Sequence, residues 1–151
     1  DILPAQIIVN NIAAGRYVTD FVLEEGFIFD QPMIDFRLKN SRLNYPILTE
    51  EQIIRFAWSS KQEIKEWKQI AIRVSDYLTG MFAAIGIRLV ECRLEFGRIF
   101  NGNNNVIMLA DELSPDNLRL WDAKTNRKID FDAVAQDPIA IYREIAERIG
   151  L

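Results

Sequence analysis

At 151 residues, 49% hydrophobic and 26% charged, with five prolines and seven glycines, the chain has the make-up of one ordinary globular domain over residues 1–151, or of a large fragment of a two-domain protein. A net charge of −4 argues against a nucleic-acid surface, which needs a basic stripe, and no apolar run approaches the length of a membrane span. There is no histidine and one cysteine, Cys92. This excludes histidine-dependent triads, histidine acid/base chemistry and an intramolecular disulfide, and it suits a reducing, cytoplasmic setting. Chemistry falls to carboxylates, lysines, arginines, backbone groups and bound ions.

The chain opens on Asp1-Ile2-Leu3-Pro4 and runs at once into an apolar strand pattern, as an internal segment of a longer polypeptide would. Ala5–Asn11 predicts a short strand through the β-branched Ile7, Ile8 and Val9. Ala13-Ala14-Gly15 breaks it, either for close backbone approach to a ligand or for a positive φ. Glu24-Glu25-Gly26 is a second turn. Met33–Lys39 alternates, and its face with Asp35, Arg37 and Lys39 is expected to meet solvent or a ligand. Asn40–Pro46 reads as a polar loop.

Thr49-Glu50-Glu51-Gln52 is a capping box that starts a short helix to about Ala57, and Ser60-Lys61-Gln62-Glu63 starts a second running to Gly86. The stripe Ile64, Trp67, Ala71, Val74, Leu78, Met81 and Ile85 alternates spacings of three and four. It should bury one face against a sheet, with an oligomer seam as the other reading. Ile87–Arg98 predicts a strand with Val90, Cys92, Leu94 and Phe96 on one side and Glu91, Arg93 and Glu95 on the other. Val106–Asp111 should return antiparallel after the turn at Asn101–Asn105. Leu118–Trp121 is a third short strand, and an amphipathic helix from Phe131 or Pro138 to Gly150 ends the chain. The sum is an α+β layer, an antiparallel sheet backed by helices. Phe96, Trp121 and Cys92 are expected in the core, Cys92 as an inert thiol.

Folding the two hairpin arms about residue 103 places Glu95 opposite Asp111. Opposed like charges are destabilising on a sheet, so a cation between them is expected; oxygen ligands suit magnesium, and magnesium implies phosphate. Arg93 and Arg119 add cations that suit phosphate or carboxylate. The plainer reading is a solvated face of surface ion pairs. Asp116 either closes the Pro115 turn or bonds a substrate amine.

Val9-Asn10-Asn11-Ile12-Ala13-Ala14-Gly15, Leu94-Glu95-Phe96-Gly97, the run from Leu109 to Asp116 (LADELSPD) and Arg119-Leu120-Trp121-Asp122 together resemble signatures of the SAICAR synthetase family. The resemblance extends over nearly the entire chain. It implies an ATP-grasp-like ligase joining aspartate to carboxyaminoimidazole ribotide with ATP and Mg2+, in purine biosynthesis, and a homo-oligomer. It implies Glu95 and Asp111 as magnesium ligands and Arg93 beside the ATP phosphates. Arg119 and Asp116 would contact the ribotide substrate, and Asn11, Gly15 and Arg16 would belong to the loop cradling its phosphate. The chain departs from the pattern at Asn10, where the family has arginine, and at Arg16, where it has serine. Asp130-Phe131-Asp132 lacks the family's basic residues, and Asn44 and Gln52 stand at usual acidic and histidine positions. The family's glycine-rich lobe is expected upstream of Asp1. The alternative class is a non-catalytic ribotide-binding homologue.

Overall fold

The computed structural model describes residues 1–129, 137 and 139–151. Its centre is an antiparallel sheet. The long strands β1 (Ile2–Ile12), β2 (Ile28–Leu38) and β4 (Ile87–Phe100) form the middle. Two short strands, β3 (Ile47–Leu48) and β5 (Asn105–Leu109), flank them in the order β3-β2-β1-β4-β5. A sixth strand, β6 (Leu118–Asp122), pairs with the first half of β4. The helices are α1 (Arg16–Phe21), α2 (Glu50–Arg55), α3 (Lys61–Ala83) and α4 (Ala140–Ile149). The expected α+β class is the observed one. The expected helix start at Phe131 or Pro138 lies outside the described residues, as does the Asp130–Asp132 departure.

Both capping boxes form. Thr49 Oγ1 accepts from Gln52 N at 3.1 Å while Gln52 Oε1 accepts from Thr49 N at 2.8 Å. Ser60 and Glu63 do the same one helix later. These paired bonds satisfy orphan amide donors and fix where each helix begins. Helix α3 lies across one face of the sheet. It buries Ile64, Trp67, Ala71, Ser75, Leu78 and Phe82 against Leu3, Ala5, Ile7 and Val9 of β1 and Leu89, Cys92, Leu94 and Phe96 of β4. The predicted stripe holds at Ile64, Trp67, Ala71 and Leu78, with Val74 and Ile85 packed against the core, while Ser75 and Phe82 join the buried line and Met81 leaves it. Alternating threes and fours average 3.5 residues, whereas a straight helix turns every 3.6, so the buried line drifts. The stripe is a sheet-facing surface, not a seam between copies.

Strand β4 keeps the predicted sides from Glu91 onward, but a bulge between Leu89 and Glu91 inverts them before it. Val90 therefore leaves the Cys92 side and packs with Ile12, Ala14 and Trp121 in a second, smaller cluster. β1 has a register shift at the same level, between Asn10 and Ile12, but keeps its alternation, with Val9 and Asn11 toward α3 and Ile12 in the second cluster. The bulges bend both strands at one level, and the chain leaving β1 enters the unpredicted helix α1. Cys92 is fully buried, and that burial pushes its thiol up to about 12, in keeping with an inert role.

The β4–β5 register corrects the sequence reading. Phe100 pairs with Asn105 and Phe96 with Leu109, so the loop is Asn101–Asn104, four residues rather than one centred on residue 103. Asn101 Oδ1 closes it by accepting from the amides of Asn103 and Asn104. An even loop moves the register by one step: the Glu95 carbonyl accepts from Ala110 N at 2.8 Å, and β5 ends at Leu109. Glu95 and Asp111 are thus neighbours displaced by one residue, not a directly opposed pair.

Candidate functional site: an arginine-lined cleft on the open sheet face

The sheet face turned away from α3 carries the polar alternation of three strands, and their pairings stack it into rows. Arg37 stands beside Gln6 and Gln6 beside Glu95; Asp35 beside Ile8 and Ile8 beside Arg93. In the third row Asn10 neighbours Glu91, which neighbours Arg119 of β6. Gly15, at φ 54 and ψ −123, then turns the chain so that α1 rises over this face. Such a backbone is open to glycine alone, and a β-carbon there would sit 3.0 Å from Arg119 Nη2. The result is a cleft of about 160 Å3 whose walls include Asn10, Tyr17, Glu91 and four arginines: Arg16, Arg37, Arg93 and Arg119.

The charges in the cleft are arranged around two carboxylates. Glu91 accepts from Arg93 Nε at 2.9 Å and lies 3.7 Å from Arg119 Nε. Asp35 accepts from the Tyr17 hydroxyl at 2.9 Å and from Asn10 Nδ2 at 3.5 Å, with Arg37 Nη2 3.8 Å away. Burial raises the Asp35 carboxyl above its ordinary range against those stabilising contacts. Burial, reinforced by Asp35, raises the Tyr17 hydroxyl as well, so Tyr17 stays a neutral donor. Four guanidinia against the carboxylates of Glu91 and Asp35 leave the cleft net cationic. Planar forked donors around a small polar cavity suit a phosphate or carboxylate.

Of the residues singled out in the sequence, the structure brings Arg16, Arg93 and Arg119 into this cleft, with Gly15 between lining residues Ala14 and Arg16. Asn10 lines it too. Asn11 points elsewhere, its Nδ2 donating to Ser75 Oγ at 3.2 Å and to the Leu89 carbonyl at 3.3 Å on the α3 side. Asp116 lies in a short 3-10 turn and accepts from the Tyr142 hydroxyl at 2.7 Å, tying that turn to α4. Glu95 is ion-paired with Lys39 next to the cleft. Asp111 Oδ1 accepts from Glu112 N at the exit of β5. Among the described residues no three acidic or cysteine side chains gather as a cation site. Two carboxylates can hold magnesium when phosphate oxygens and water complete its shell, but β5 ends at Leu109 and no pairing sets the Asp111 carboxylate beside that of Glu95.

Sequence reasoning missed Tyr17 and the partnership of Asp35 with it. The alternation of Met33–Lys39 did mark the Arg37 face as ligand-facing. It gave no sign that Arg37 is only 5% exposed, because that burial comes from α1 and the Asn44–Tyr45 turn closing over it.

A family model described as SAICAR synthetase matches residues 1–149. The chain is 45% identical over 152 aligned positions to a phosphoribosylaminoimidazole-succinocarboxamide synthase of Rickettsia felis, covering 99% of this chain and 64% of that protein. It superposes on a crystal structure of the same-named enzyme from Ehrlichia chaffeensis with a TM-score of 0.90 and 36% identity, over 98% of this chain and 64% of the other. A SAICAR synthetase in complex with ADP gives a TM-score of 0.89 and 38% identity, over 99% and 64%. The chain therefore spans 64% of the length of the Rickettsia relative it matches.

Proposed function

The chain belongs to the SAICAR synthetase family, and on that premise we propose that it supplies the ribotide-binding and phosphate-handling face of an ATP-dependent ligase. The reaction joins the amine of aspartate to the carboxylate of carboxyaminoimidazole ribotide in purine biosynthesis. The observation that carries this reading is the cleft under Gly15, where Arg16, Arg37, Arg93 and Arg119 converge. A ribotide brings a phosphate and a carboxylate, and a cleft with forked donors on three strands and a helix has a partner for each.

Transfer of the ATP γ-phosphoryl group to the ribotide carboxylate makes an acyl phosphate, and the aspartate amine then displaces phosphate to leave the amide. Magnesium held by Glu95 and Asp111 would neutralise charge on the nucleotide phosphates. Arg93 lies two residues from Glu95 along β4 and lines the cleft. It is placed to meet charge that builds on the carboxylate being activated. Glu91 holds Arg93 and Arg119 in orientation, which keeps their reorganisation small when an anion enters. No step requires a histidine. A complex of a relative with ADP supports nucleotide as the second ligand.

Asp111→Asn tests the nucleotide side. Calorimetric titration with Mg-ATP should weaken at least tenfold, while the exposed position leaves the melting temperature unchanged. Equal affinity in the variant contradicts the role. Cytoplasmic location and homodimerisation complete the proposal; the described helices include none long and apolar enough to cross a membrane. Exposed Phe21, Val22, Phe27 and Ile28 form an apolar surface that supports pairing of copies. Sedimentation velocity should give a dimer, and a monomer at micromolar concentration would remove that part.

A further inference from the structure

Far from the cleft, the loop between β4 and β5 holds Asn101, the only asparagine in the sequence that glycine follows. Its side chain is turned back over the loop, with Oδ1 accepting from Asn103 N at 3.1 Å and from Asn104 N at 2.9 Å. Asn101 N donates to the Asn104 carbonyl at 3.1 Å and closes the main chain below it. Among the described residues neither Asn101 Nδ2 nor Gly102 N has a hydrogen-bond partner. All four loop residues are exposed. Gly102 lies at φ 96, and no atom stands within 4 Å of where a β-carbon would be.

These features meet what an asparagine needs to cyclise on its own backbone. The two amides on Oδ1 draw electrons from Cγ, and they are already in place for the oxyanion that forms when Cγ becomes tetrahedral. No acceptor holds the Gly102 proton, and glycine has no side chain to screen its nitrogen. We propose that Asn101-Gly102 is a self-modifying site. Gly102 N gives up its proton to solvent and attacks Asn101 Cγ. The new N–Cγ bond closes an imide ring, the Cγ–Nδ2 bond breaks, and ammonia leaves with a proton returned from solvent. Water then reopens the ring. Attack at Cγ leaves aspartate; attack at the main-chain carbonyl leaves isoaspartate, with the backbone running through the former side chain. Water is the only co-reactant, and nothing is oxidised or reduced.

Neighbouring asparagines lack this arrangement. The nitrogen after Asn103 belongs to Asn104 and is engaged with Asn101 Oδ1, and the residue after Asn104 is paired with Phe100. Asn40 Oδ1 accepts from one amide, Leu43 N at 3.3 Å, and Ser41 behind it carries a side chain. Either product at position 101 adds a negative charge to the chain's −4. Isoaspartate also adds a carbon to the main chain of the loop, which disturbs the Phe100–Asn105 and Ile99–Val106 pairs.

Native protein and protein unfolded in urea are held in the same mildly alkaline buffer made with heavy-oxygen water. Residues 101 and 40 are followed by peptide mass spectrometry with fragmentation that separates aspartate from isoaspartate. Native Asn101 should convert at least as fast as Asn101 in urea and at least tenfold faster than native Asn40, with the heavy oxygen in both products. Amide exchange at Ile99 and Val106 should quicken in the isoaspartate-bearing protein and stay unchanged in Asn101→Asp. Slower conversion in the native protein than in urea overturns the proposal, since the loop then protects its asparagine. Aspartate as the sole product overturns the cyclisation, because direct hydrolysis yields no isoaspartate. Unchanged exchange in the isoaspartate-bearing protein overturns the effect on the hairpin.

Discussion

Glu63 shows how one side chain joins a helix start to the sheet. Its carboxylate closes the α3 capping box by accepting from Ser60 N, and it also accepts from Arg98 Nε at 2.6 Å and from Ser59 Oγ at 2.8 Å. The Arg98 contact holds the carboxyl down at about 2, against an ordinary value of 4.5. A carboxyl lowered on folding adds stability that is present above the unfolded value and is lost as pH falls through the folded one. Asp122, held low by Arg148 and by the Thr125 bonds, acts with the same sign. Melting temperature should therefore decline as pH drops from 4.5 toward 2, and Glu63→Gln should flatten that decline while lowering the plateau. An unchanged slope in the variant contradicts the assignment. The capping residues of this site were legible from four letters of sequence. Its Arg98 partner, on a strand 35 residues away, was not, because cross-element partners leave no local pattern.

Among the elements, α3 is where sequence pattern and helix geometry part. Met81 belongs to the apparent stripe yet is 45% exposed, whereas Phe82 beside it is 4% exposed in the core. Phe82→Ala should cost about 3–5 kcal/mol by leaving a cavity. Met81→Ala should stay within about 0.5 kcal/mol. Urea denaturation of the two variants checks this, and equal losses would restore the 3.5-residue stripe. The strands teach a related lesson. Alternation placed Glu91, Arg93 and Glu95 on one face correctly, because one uninterrupted stretch of β4 carries them. It failed for Val90 across the bulge and for Asp111 across the hairpin. A single inserted residue or an even loop flips a period of two, and neither feature announces itself in composition.

At the scale of the molecule, the cleft exists because β2, β1, β4 and β6 lie side by side while Gly15 brings α1 across them. The class of fold was readable from the order of strand and helix signals, and the family from its motif runs. The cleft was not, since its rows join residues as far apart as Arg37, Gln6 and Glu95 through pairings that only the assembled sheet specifies. Asn10 and Arg16, one on a strand and one on a helix, both border this one cavity. Glu95, paired with Lys39, is on the strand that lines the cavity but is not itself among the lining residues.

A crystal structure of the protein with carboxyaminoimidazole ribotide would test this arrangement most directly. The phosphate should lie in the cleft under Gly15, within hydrogen-bond distance of Arg16, Arg37 or Arg119, with the ribotide carboxylate turned toward Arg93 and Glu95. A ribotide bound on another face of the sheet, or a phosphate that touches none of those arginines, would contradict it.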